Sequence, residues 1–266
     1  DLPGPRLPHD IAFTENFTII NDLPLFWDPE ALERGVHAVR FFPDIPSRFG
    51  IIPRFGAPDT IKWFEAEPTY VLHWINAYEE GDEVVLDGYF QEHPQPASFP
   101  DAPAGFERMM AYLSQELMGA RLHRWRFNMK TGETREEHLD DRTLEFGIPN
   151  QRYGGRKYRY AYSAIPDPYR LSFTGYCKHD LDTGKSWSVG LGPGRFGSEA
   201  GFAPRLNASA EDDGYLMTFV YDADTDSSRY VVMDASTMDD TPVASIALPR
   251  IPFGFHGSWI PSAVAD

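Results

Sequence analysis

Apolar and polar residues alternate in short runs along most of this chain, and Gly, Pro, Asn and Asp interrupt the runs at close intervals. Segments 11–20 (IAFTENFTII), 69–77 (YVLHWINAY), 83–90 (EVVLDGYF), 157–163, 186–191, 215–221 and 229–233 combine β-branched and aromatic residues and predict strands. Successive strand side chains point to opposite faces, so Val71, His73 and Ile75 are expected on one face. Helical spacing is scarce. Residues 105–119 place Phe106, Met109, Met110, Leu113 and Leu117 three and four apart, which predicts one amphipathic helix. A short second helix is predicted after Asp28, with Asp28 as its cap, Pro29 in its first turn and Gly35 at its end.

Polar turns recur at Lys130-Thr131-Gly132, Thr183-Gly184 and around Thr237, each between strand-like segments and about 52 to 54 residues apart. That spacing fits four-stranded propeller blades of about 40–50 residues, and it also fits a sandwich or barrel with evenly placed hairpins. The 22 Gly, 23 Pro and 14% aromatic content agree with many short strands, so the class is all-β. The 266 residues suffice for one large domain or two modest ones, and would make roughly five blades.

Charge narrows the partners. With 24 Lys and Arg against 40 Asp and Glu, the net charge of −16 argues against nucleic acid. Any membrane contact is expected to use an apolar patch, not a basic one. The single cysteine, Cys177, excludes an intrachain disulfide and a thiolate metal cluster, so a metal would be held by His or carboxylate. No apolar run reaches the roughly 18–20 residues of a membrane-spanning helix. The first ten residues lack the pattern of a signal peptide, and a cytoplasmic location is expected.

Among the eight histidines, His93, His123, His138 and His179 have polar neighbours and are expected to be solvated. Cys177 and His179 lie two apart on a strand, a spacing that does not by itself make a nucleophile and base. His73 sits on an apolar face, as a core histidine bonded to a carbonyl or as a ligand. His256 lies between Phe255 and Gly257 in an aromatic turn, and His9 stands at the entrance to a strand. On local context alone, Glu145 and Glu199 read as exposed strand-end carboxylates. The acidic residues form no pattern that marks a hydrolase.

The segments HDIAFTEN, HWINAYEEGD, LEFGIPNQRYGGRKYRYAY, GSEAGFAPR and LPRIPFGFHGSWIP run in order over nearly the whole chain. In this order and spacing the chain resembles the carotenoid cleavage oxygenase family, which includes the bacterial lignostilbene dioxygenases. The resemblance implies a seven-bladed β-propeller with a helical and loop cap. This chain would be a single domain over 1–266 that covers roughly the last four to five blades and part of the cap, completed by an N-terminal segment or another chain. It also implies one Fe(II) on the propeller axis, with His9, His73 and His256 matching three of four histidine ligands, the first lying upstream. Glu145 would orient His73, and Glu199 would orient His256. Gly147 and Ala200 replace prolines usual in the family, which puts the aim of both carboxylates in question.

The implied reaction is cleavage of a C=C bond by O2 into two carbonyl products, with a carotenoid or apocarotenoid substrate. A stilbene or phenylpropenoid alkene is the alternative, and a non-catalytic binding or structural fragment is another. Phe26, Trp27, Phe41, Phe42, Phe55 and Phe255 are candidates for an apolar substrate channel; cap packing is the other reading of their segments.

Overall fold

A computed structural model describes residues 2–4, 6–35, 38–95, 118–168, 170–252, 254 and 256–261. The predicted helix over 105–119 and the channel candidate Phe255 lie outside the described residues. The chain divides into two compact units, one of residues 1–145 with 154–157 and the other of residues 146–153 with 158–266.

In the first unit, β1 (Ala12–Phe13) and β2 (Phe17–Asp22) are followed by a small hairpin, β3 (Leu25–Trp27) with β4 (Val39–Phe41). Next come β5 (Ser47–Pro53) and β6 (Lys62–Ala66), giving an antiparallel sheet in the order β1-β2-β5-β6. A second antiparallel sheet is a simple meander of β7 (Trp74–Glu80), β8 (Glu83–Gln91), β9 (Ala120–Asn128) and β10 (Thr134–Thr143). Phe49, Phe64, Trp74, Trp125 and Phe127 pack between these sheets as one aromatic cluster with ring centroids 5.0–5.9 Å apart.

The second unit contains β11 (Glu145–Pro149, whose Glu145 belongs to the first unit), β12 (Tyr160–Asp167), β13 (Arg170–Asp180) and β14 (Lys185–Gly190). After β15 (Arg195–Gly197) it continues with β16 (Gly201–Pro204), β17 (Gly214–Asp222), β18 (Ser227–Asp234) and β19 (Ala244–Leu248). Two four-stranded sets, β11 to β14 and β16 to β19, are joined through β15, which pairs with both β13 and β17. Tyr162, Phe173, Tyr176, Phe202 and Leu216 form its core. Among the described residues no helix is long and apolar enough to cross a membrane.

The three recurrent turns share one device. Asn128, Asp180 and Asp234 each end or nearly end a strand, and each uses Oδ1 to accept the backbone N–H groups two and three residues ahead. Four residues on, Gly132, Gly184 and Met238 take positive φ of 80°, 69° and 55°. Glycine adopts that conformation freely; Met238 does so while its side chain is buried in the second core.

Two predicted segments differ from the structure. Segment 11–20 is broken because the Thr14 hydroxyl accepts the N–H groups of Asn16 and Phe17, which turns the chain between β1 and β2. Segment 69–77 becomes a strand only at Trp74. Backbone groups at 69 and 70 bond instead to the Ser47 side chain and the Gln91 N–H, and Ile75 is an extra residue in the β7–β8 ladder. His73 therefore stands just before the strand instead of sharing a regular face with Val71 and Ile75. The helix after Asp28 is present as α1 (Pro29–Glu33), with Asp28 Oδ1 accepting from the Glu30 N–H at 3.0 Å.

Candidate functional site

His73 is positioned from two sides. Trp74, its neighbour, is locked in the aromatic cluster against Phe49 and Trp125. Gly88 on β8 leaves room for that indole, since a Cβ there would lie 2.5 Å from Trp74 Cε3. The His73 side chain is 13% exposed, and its Nδ1 lies 2.8 Å from Oε2 of Glu145, which is fully buried. A carboxylate accepts, so the bond places the ring proton on Nδ1 and the lone pair on Nε2.

His9 lies beside it, with the two imidazole centroids 5.3 Å apart and the rings at 80°. The segment carrying His9 is tied down on both sides: Arg6 pairs with Asp22, the Tyr70 hydroxyl donates to the Leu7 carbonyl at 3.0 Å, and Asn21 Nδ2 donates to the Asp10 carbonyl at 2.8 Å. Asp10 also accepts the N–H of Ile11 through Oδ1 at 2.7 Å and the N–H of Trp74 through Oδ2 at 3.0 Å.

In the second unit, Oε2 of Glu199 accepts from His256 Nδ1 at 3.1 Å and from the Gly257 N–H at 2.7 Å. Glu199 is mostly buried and His256 is 58% exposed, again with Nε2 left as the lone-pair nitrogen. The His256 ring also packs on Phe146, at 5.5 Å between centroids; Phe146 holds a φ of +51°, uncommon for a bulky residue. Below Glu199, the buried Tyr176 hydroxyl bonds the Ser198 carbonyl at 2.5 Å and Thr218 Oγ1 at 2.7 Å, which fixes the adjoining backbone.

The structure thus joins His9, His73 and Glu145 in one unit and Glu199 with His256 in the other. Replacement of the two prolines by Gly147 and Ala200 has not turned either carboxylate away from its histidine. Within the described residues no three His, Cys, Asp or Glu side chains stand together as a metal cluster. The donor set still fits a divalent metal of intermediate softness: two imidazoles carry a carboxylate on Nδ1, the arrangement that fixes the tautomer and raises basicity at Nε2.

Of the channel candidates, Phe26 is buried and stacks on Phe42 at 4.3 Å, with Arg6 over Phe26 and Arg40 over Phe42. Trp27 and Phe41 are half-buried in the same hairpin, whereas Phe55 is 98% exposed.

Two histidines expected to be solvated are buried. His123 packs on Trp125 and Phe90 and is bonded to His138 Nδ1 at 3.0 Å and Glu136 at 3.3 Å, because side chains of the neighbouring strands, Phe90 on β8 and His138 on β10, close over its ring. His179 is buried on β13, which is flanked by β12 and β14. Its Nε2 is 3.8 Å from Sγ of the equally buried Cys177, where no substrate has access. His93 and His138 are exposed as expected. Sequence reasoning missed Asp10; its only signal was its place directly after His9.

Comparison with known proteins supplies the context. The family model described as RPE65, retinal pigment epithelial membrane protein, matches residues 1–261. Carotenoid 9,10(9',10')-cleavage dioxygenase 1 of Pisum sativum is 39% identical over 97% of this chain and 50% of its own length. Cobalt-substituted Synechocystis ACO superposes with a TM-score of 0.83 at 27% identity, over 97% of this chain and 54% of that one. The lignostilbene dioxygenase of Pseudomonas brassicacearum gives 0.81 at 26% identity, over 97% and 56%. The chain spans about half the length of the curated carotenoid 9,10(9',10') relatives it matches. Its mostly β fold is that of these β-propeller enzymes, and the chain belongs to the RPE65 and carotenoid cleavage oxygenase family.

Proposed function

We propose that the protein of which this chain forms part is an Fe(II)-dependent dioxygenase that cleaves a C=C bond of a carotenoid or apocarotenoid. The observation that carries this reading is the repeated pairing of a histidine Nδ1 with a glutamate, His73 with Glu145 and His256 with Glu199. His9, His73 and His256 would hold the metal through neutral imidazole, and the two glutamates would fix the rings and offset the positive charge. Bound iron supplies the activation of O2, and one alkene plus one O2 gives two carbonyl products. No protein acid or base is needed for that balance. The chain's own contribution is to aim the imidazoles.

The named activity of the relatives supports a carotenoid-type substrate: the Pisum sativum enzyme has higher identity than the lignostilbene dioxygenase. The test is metal analysis of the full-length protein purified without oxygen, followed by product analysis with an apocarotenoid and with a hydroxystilbene under 18O2. About one iron per chain, labelled carbonyl products from the apocarotenoid and loss of both in His73→Ala are expected. Absence of iron in the wild type, or iron content unchanged by His73→Ala, would overturn the metal assignment; turnover of the stilbene alone would overturn the substrate.

A further inference from the structure

We propose that Asp10 is a positioning residue that sets the separation of His9 and His73, an inference that rests on the metal-site reading above. Its carboxylate is a clamp between two distant stretches of chain. Oδ1 accepts the Ile11 N–H at 2.7 Å, and Oδ2 accepts the N–H of Trp74, 64 residues away, at 3.0 Å. The first bond fixes the backbone following His9. The second ties Asp10 to the backbone following His73, where the Trp74 indole is immobilised by Phe49 and Trp125.

Asn21, on β2, completes the brace by donating to the Asp10 carbonyl at 2.8 Å. A continuous path therefore runs from the aromatic core through Trp74 and Asp10 to His9, whose own side chain is exposed. An exposed imidazole on an untethered segment would sample many placements, and ordering it would cost affinity when it became a ligand. The clamp removes that cost beforehand. It also explains the residue type. Both oxygens accept from backbone N–H groups, so an amide, with one acceptor and one NH2, satisfies only one of them.

The two histidines are thus placed by different means: Glu145 aims the His73 ring through its side chain, while Asp10 ties the main chain that carries His9 to the anchored Trp74 beside His73. Outer supports of metal ligands typically contribute about 10–100-fold in metal affinity.

The test uses the full-length protein stripped of metal and titrated with Co(II) against a chelator, with thermal unfolding recorded on each variant. Asp10→Ala should weaken Co(II) binding by about 10–100-fold, and Asp10→Asn, which preserves shape, by less. In a His9→Ala background the same Asp10→Ala change should alter binding by less than about twofold, because its action passes through His9. A merely structural aspartate would lower the unfolding temperature and weaken binding equally in both backgrounds. That equality, or an Asp10→Asn variant with wild-type affinity and wild-type Co(II) absorption, would overturn the inference while leaving the metal site intact. If His9→Ala and His73→Ala themselves bind Co(II) as the wild type does, the metal-site reading falls and the inference falls with it.

Discussion

Gly88→Ala probes the wedge that places His73. An added Cβ would sit 2.5 Å from Trp74 Cε3, 3.0 Å from Cζ3 and 3.2 Å from the His73 carbonyl oxygen. Carbon atoms in contact prefer about 3.5–4.0 Å, so roughly an ångström must be found. The indole has little room to give: it is buried, and its ring is held against Phe49 and Trp125. Overpacking of this kind costs about 1–3 kcal/mol, and replacing glycine in a strand recovers about 0.5–1 kcal/mol. A net destabilisation of about 0.5–2 kcal/mol is expected, with a shift of the His73 backbone. Gly190 provides the comparison, since a Cβ there meets nothing within 4 Å and Gly190→Ala should be neutral or slightly stabilising. Urea unfolding of the full-length variants measures both. Equal stability of Gly88→Ala and Gly190→Ala would refute the reasoning.

Tyr176→Phe should cost about 1–2 kcal/mol in urea unfolding, because the deleted hydroxyl bonds both the Ser198 carbonyl and Thr218 Oγ1 in a fully buried place; a change below about 0.3 kcal/mol contradicts that account. Glu199→Ala removes the acceptor of both His256 Nδ1 and the Gly257 N–H, and metal affinity by chelator competition should fall about 10–100-fold; an unchanged affinity argues against its role. Although His138 is exposed on its outer side, its imidazole loses solvent where it packs on Phe90 and His123; that desolvation first, then the charges of His123 and Arg121, holds it below its ordinary 6.5, opposed by Glu92 and Asp141. The unfolded chain therefore takes up this proton first as pH falls, so the group's stabilising effect is complete above about pH 6.5 and is lost progressively below it. His138→Gln should flatten the decline in unfolding temperature between about pH 7 and 5, and parallel profiles for the two proteins would count against this. Cys177 is fully buried, so a thiol reagent should label it only as fast as the chain opens; rapid labelling of the native protein would show otherwise.

What the sequence made legible was local. The turns after Asn128, Asp180 and Asp234 close within four residues, so their residue types carry the whole signal. The same holds for α1, whose cap Asp28, first-turn Pro29 and closing Gly35 all lie within one short stretch of chain. The histidine–glutamate pairs span 72 and 57 residues, and no local pattern encodes them. Only the ordered motifs that carry the family resemblance point to them. His123 and His179 misled for a related reason: polar neighbours in sequence describe the strand's own residues, whereas burial is set by the strands on either side. Asp10 is the clearest case, because its partner Trp74 N–H is a backbone group and leaves no residue-specific trace.

The return of residues 154–157 to the first unit gives the chain an order of assembly. Gly155 donates its N–H to Asn76 Oδ1 at 2.9 Å, Asn76 Nδ2 donates to the Arg156 carbonyl at 3.0 Å, and Lys157 pairs with Glu80, so β7 is finished by residues made after all of β11 and its following turn. During synthesis, then, the histidine-bearing first unit cannot close its last strand contacts until Lys157 has left the ribosome. A chain cut after Glu145 would carry His9, His73 and Glu145 but leave both ends of the Asn76 amide without these partners.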